Sequence, residues 1–117
     1  VNRLLSKVMP HLQVTRTPME QLDQVEPVLK PTTAVVWVET PTNPCLKLVD
    51  LAGMAALIKR HCPQAWLVVD NTFATPCLQQ PLLLGATVVL HSATKYLNGH
   101  SDVLQGLLIT RDADLYQ

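Results

Sequence analysis

Apolar positions along the chain alternate between short continuous runs and helix-spaced stripes. Three runs, "TAVVWVE" (33–39), "AWLVVD" (65–70) and "TVVLH" (87–91), are rich in valine and uninterrupted by charge, the pattern of strands buried on both faces. Two more runs, "LQVT" (12–15) and "LQGLLIT" (104–110), read as a first and a last strand. Between them lie helical signals. The segment "TPMEQLDQVEPVL" (17–29) offers a capping Thr17, a proline near the first helical position and acidic residues in its first turn. From about Asp50, Leu51, Met54, Leu57 and Ile58 fall on one helical face, and Lys59, Arg60 and His61 occupy the last turn, where they suit the helix dipole. After "NTFATP", the stretch "CLQQPLLLG" (77–85) predicts a short apolar helix ending at Gly85. Strand alternating with helix predicts an α/β layer with a mostly parallel sheet.

In such sheets ligands bind beyond the carboxyl ends of the strands. Polar residues gather there: Glu39 to Asn43 after one run, Asp70 to Thr72 after the next, and His91 to Lys95 after the third. Three strand tips therefore point at one edge.

Composition narrows the classes. With 117 residues, 48% of them hydrophobic and 15% charged, the chain has material for one core, and disorder is not expected. A net charge of zero argues against a nucleic-acid partner. The longest uncharged stretch, from Asn71 to just past Val89, contains Pro76, Pro81 and Gly85 and does not read as a membrane span. Three widely spaced cysteines (Cys45, Cys62, Cys77) form no disulfide framework, so buried thiols in a reducing cytoplasm are expected. The start at Val1 without methionine, and the helix start signalled by Asp112 just before the end, lead to the expectation of an internal piece of a longer protein.

The chemistry centres on "HSATKYLNGHSD" (91–102). A lysine in a partly desolvated pocket can form an imine with a carbonyl, so Lys95 is the candidate reactive group; an isolated loop lysine would simply be solvated. Ser92 and Thr94, with backbone N–H groups of the same turn, can cradle a phosphate, although such hydroxyls also bond their own backbone. Asp70, ending an apolar strand, calls for a cationic partner such as a protonated pyridine nitrogen, or serves as an N-cap. Asn43 can donate its amide to a ring oxygen or form an ordinary turn before Pro44. An imine lysine, a carboxylate for a ring nitrogen, an amide for a ring oxygen and hydroxyls for a phosphate together match pyridoxal 5′-phosphate.

The motifs "ETPTNP" (39–44), "VVDNTF" (68–73) and "HSATKYLNGHSDV" (91–103) resemble those of the pyridoxal-phosphate enzymes of cysteine and methionine metabolism: the cystathionine γ-synthases, γ-lyases and β-lyases, methionine γ-lyases and O-acylhomoserine sulfhydrylases. The resemblance runs over residues 1–117. It implies a fragment of the large domain of the fold type I transferases, with helices on both faces of a mostly parallel sheet and an antiparallel strand at 104–110. It further implies that Lys95 is the imine lysine and proton carrier, that Asp70 meets the pyridine nitrogen and Asn43 the phenolic oxygen, that Ser92 and Thr94 hold the phosphate, and that Thr72 supports Asp70. The expected reaction is elimination or replacement at Cγ or Cβ of a sulfur amino acid, closest to the γ-synthases and γ-lyases, in a homotetramer with shared sites. Thr87 stands where the family usually has Asp, away from the cofactor edge. The family's stacking tyrosine and glycine-rich loop would lie upstream of Val1, and its carboxylate-binding arginine downstream of Gln117. A strand expected between the first two is also missing, so the piece alone is expected neither to fold stably nor to turn over substrate.

Other readings are weaker. No G-x-x-x-x-G precedes Lys95 and Tyr96 follows it, which excludes a P-loop. His11, His61, His91 and His100 lack metal-ligand spacing, so no metal is expected. Glu39 reads as a buried pairing partner, and Trp37 and Trp66 as core. A Schiff-base aldolase has no use for Asp70 together with the hydroxyls. A non-catalytic remnant is the rival of another class, but it should have scattered changes over these motifs.

Overall fold

The computed structural model describes residues 3–116. Four strands, β1 (Val35–Glu39), β2 (Trp66–Asp70), β3 (Val88–Ser92) and β4 (Gly106–Thr110), form one sheet in the order β1-β2-β3-β4. The first three are parallel, with Val38 opposite Val69 and Val69 opposite Val89. β4 runs antiparallel to β3, as the resemblance implies, with Leu90 opposite Leu108. The three valine-rich runs form the parallel strands because branched side chains pack well on a pleated surface.

The helix expected from Asp50 is α2 (Leu51–His61), following the four-residue α1 (Leu22–Val25). Asp50 caps α2 by accepting the Gly53 N–H at 2.9 Å, which satisfies one of the donors left over at a helix start. Leu51, Met54, Leu57 and Ile58 are buried as their spacing requires. Leu51, Met54 and Ile58 meet Val36, Val38, Leu67 and Val69 of the sheet, with Val25 of α1 closing the same core. Gly53 allows the close approach of α1, since a Cβ there would lie 2.5 Å from Leu22 Cδ1.

Other expectations change. Residues 12–15 are irregular, because no described segment lies beside them to complete a ladder. The helix expected over 17–29 shrinks to α1 and a 3₁₀ turn at Glu26–Val28; Thr17 Oγ1 donates to the Gln24 carbonyl instead of capping. The apolar helix of 77–85 splits into α3 (Thr75–Leu78) and a 3₁₀ turn at Pro81–Leu84, since Pro81 has no N–H to continue a helix. Gly85 ends that turn at φ +96°, where a side chain would be strained and would also meet Ala55. Trp66 is 45% exposed and Trp37 half-buried, so neither belongs to the core. Of the cysteines only Cys62 is buried, and burial pushes its thiol pKa up; Cys45 and Cys77 are exposed. No helix among the described residues is long and apolar enough to cross a membrane.

Candidate functional site

Parallel strands put their carboxyl ends on one edge, and the six candidate residues collect there. Asp70 ends β2 and Ser92 ends β3. Asn43 lies in the turn after β1, and Thr94 and Lys95 in the turn after β3.

Thr72 joins two of these tips. The Ser92 backbone N–H, a donor only, bonds Thr72 Oγ1 at 2.8 Å. The hydroxyl's own hydrogen is therefore free for Asp70 Oδ1, 2.6 Å away. Oδ1 also accepts the Thr72 N–H at 3.1 Å. With Oδ1 engaged twice, Oδ2 is the carboxylate oxygen left for another partner, and no ion pair forms at Asp70 among the described residues. The Ser92 carbonyl in turn accepts the Lys95 N–H at 3.0 Å, and the Lys95 carbonyl the Gly99 N–H at 2.7 Å, so the lysine sits on a tight, hydrogen-bonded turn.

The phosphate cradle differs from expectation. The N–H groups of Ser92, Thr94 and Lys95 are engaged by Thr72 Oγ1, the Gln105 carbonyl and the Ser92 carbonyl. Thr94 Oγ1 accepts the Gln105 N–H at 2.9 Å, tying the turn to the segment that leads into β4. Anion binding by this turn therefore falls first on the Ser92 hydroxyl. Lys95 is also exposed, not held in a desolvated pocket by the described residues. Asn43 is exposed as well; its backbone N–H bonds Glu39 Oε1 at 3.1 Å, and Glu39 is exposed instead of buried as expected.

Beneath this edge lies a partly buried polar network that periodicity does not reveal. Gln79 donates its side-chain amide to the Thr40 carbonyl (3.1 Å) and to Asn71 Oδ1 (2.8 Å). Asn71 donates to the carbonyls of Thr75 (3.1 Å) and Gln79 (3.0 Å). Thr40 and Asn71, both fully buried, follow the last residues of β1 and β2, so this network holds the two tips together from the helical side. The available signal was an Asn directly after a strand-ending Asp. On the same side a cavity of about 190 Å³ is lined by Asn71, His91 and Arg111 among others. His91 is buried and its Nδ1 has no hydrogen-bond partner among the described residues; burial lowers its pKa, opposed by the charge of Asp70. No cluster of three metal-ligating side chains occurs among the described residues.

Among the described residues the arrangement combines a primary amine without an ion pair, a carboxylate oriented by two hydrogen bonds, an amide held by its backbone and a hydroxyl without a partner. Comparison with known proteins agrees with that chemistry. Residues 1–117 match the family described as Cys/Met metabolism PLP-dependent enzyme. Cystathionine gamma-synthase of Mycobacterium leprae is 50% identical over 117 residues, which are 98% of this chain and 30% of that protein. Cystathionine gamma-lyase of Bacillus subtilis is 48% identical over 115 residues, 97% of this chain and 30% of that protein. Among solved structures, cystathionine gamma-lyase from Lactobacillus plantarum complexed with L-serine superimposes with a TM-score of 0.92 at 43% identity, covering 97% of this chain and 30% of that one. The chain thus spans about 30% of the length of these relatives.

Proposed function

The chain belongs to the Cys/Met metabolism PLP-dependent enzyme family, and from that premise we propose that it is part of the cofactor-binding large domain of a longer enzyme. That enzyme would eliminate or replace a group at Cγ or Cβ of a sulfur amino acid, in the manner of the cystathionine γ-synthases and γ-lyases. The observation that carries the reading is the unbroken line Asp70–Thr72–Ser92–Lys95, which puts a carboxylate, a hydroxyl and an amine on one strand edge through three hydrogen bonds.

The donors and acceptors on this edge fit pyridoxal 5′-phosphate. Asp70 Oδ2 is left for a pyridinium N–H, the Asn43 amide for the phenolic oxygen, and the Ser92 hydroxyl for the phosphate, with Thr94 beside it once its hydroxyl is shared. When bound, the cofactor supplies an aldehyde that captures amines and a ring that draws electrons from the substrate's Cα. Lys95 would hold the aldehyde carbon until the substrate amine displaces it, and would then take the proton from Cα. For chemistry at Cγ, Lys95 would first pass that proton on to the cofactor and, neutral again, would then take one from Cβ. Asp70, oriented by Thr72, would offer its free oxygen to the ring nitrogen, and Thr72 itself would act on Asp70 and not on the substrate.

Two further parts belong to this proposal. The lysine turn leaves Tyr96 64% and Leu104 96% exposed, which supports a homotetramer whose subunits cover the site together. Exposed free thiols at Cys45 and Cys77 support the cytoplasm as its compartment. The test is borohydride reduction of the full-length protein loaded with pyridoxal phosphate, followed by peptide mapping. The expected label is on Lys95; a label on Lys47 or Lys59 would overturn the assignment.

A further inference from the structure

Glu39 is the last residue of β1, in register with Asp70 of β2, so the two side chains leave the same face of the sheet side by side. Glu39 thus stands beside Asp70 on the edge that carries the candidate site. Its Oε1 accepts the Asn43 N–H at 3.1 Å, closing residues 40–42 into a loop. The far side of the turn is pinned separately, by Thr42 N–H to the Lys47 carbonyl (3.0 Å) and Lys47 N–H to Thr42 Oγ1 (3.0 Å). Between these two anchors, the one hydrogen bond made by Asn43 with another described residue is the bond to Glu39, and its side-chain amide is uncommitted.

We infer that Glu39 is a positioning residue for Asn43: its carboxylate fixes the backbone from which the Asn43 amide reaches the site. A charged acceptor makes the stronger bond to an N–H, and the exposure of the turn to solvent would otherwise let Asn43 move. The inference rests on the reading that Asn43 donates to the cofactor's ring oxygen. Glutamine at this position keeps an acceptor oxygen without the charge, whereas alanine loses both.

The experiment uses the full-length protein with pyridoxal phosphate bound and follows the cofactor's visible absorption against pH. An amide donating to the anionic ring oxygen favours that form, so its loss raises the midpoint, by about 1 pH unit for one hydrogen bond. Asn43→Ala is expected to show that rise, and Glu39→Ala a rise of at least about half of it. Glu39→Gln is expected to stay within about 0.3 unit of the unsubstituted protein, and the Glu39→Ala/Asn43→Ala pair to match Asn43→Ala alone, because the two act through one contact. Removing charge alone would lower the midpoint, and would do so equally in Glu39→Gln and Glu39→Ala; that pattern, or additive shifts in the pair, overturns the positioning role. An unshifted Glu39→Ala beside a shifted Asn43→Ala overturns it too and leaves the Asn43 reading standing. An unshifted Asn43→Ala sinks the ring-oxygen reading first and this inference with it.

Discussion

The two faces of the sheet are built from the same residue types and have different fates. On one face Val36, Val38, Leu67 and Val69 lie under α2 with Met54, all nearly inaccessible to solvent. On the other, Val35, Trp66 and Leu108 are 47%, 45% and 72% exposed, although their strands are as apolar as those of the covered face. Every described helix that contributes to the core packs on the first face. The second face carries the sheet positions of Glu39, Asp70 and Ser92. Apolar runs without alternation signal a sheet meant for cover on both sides. The covered face therefore explains what holds the strands together, and the other face carries the candidate site residues beside apolar side chains that the described residues leave uncovered.

Substitutions can break that comparison. The largest effect is expected at Met54, where alanine should cost the full-length protein about 2–5 kcal/mol in denaturant unfolding, the range for emptying a core position. Trp66→Ala is expected to cost a comparable amount there, because a second layer would cover it; a loss below about 1 kcal/mol would mean that the face stays open. A smaller effect should follow Asp50→Ala, which removes the cap of α2 and should cost about 1 kcal/mol by the same measurement, while Asp50→Asn restores most of it.

The smallest effect concerns the buried imidazole between the site and the helical side. Burial holds the pKa of His91 below its ordinary value of 6.5, so the folded state takes up its proton less readily than the unfolded chain. Stability from this residue is complete above pH 6.5 and is lost as pH falls through the lowered folded value. Thermal unfolding of the full-length protein across this window should show a fall on acidification that His91→Leu reduces. An unchanged profile in that variant would place the pH sensitivity elsewhere.

Much of the candidate site's placement was legible because its residues lie next to strand ends. Asp70, Ser92 and Lys95 follow apolar runs directly, and a parallel sheet brings such positions to one edge without further information. The start of α2 near Asp50 and its buried stripe were equally plain, since both depend on residues within one or two turns. The Gln79 network was not legible, because its bonds to Thr40 and Asn71 span 39 and 8 residues and depend on where α3 ends. Nor was the engagement of Thr94 by Gln105, eleven residues away on the path to β4. The strand expected at 12–15 failed for the complementary reason: local propensity proposes a strand, and a neighbour must be there to pair with it.

By itself, then, the sequence determined the alternation of strand and helix, the family its motifs belong to, and the identity of the residues at the strand tips. These follow from short-range chemistry: branched side chains, caps, prolines and the polar residues that end a buried run. Tertiary structure alone decided which face of each strand is covered and that Thr72 links Asp70 to Ser92. Those outcomes depend on the register of one strand against the next, and a shift of a single residue would send each side chain to the opposite face.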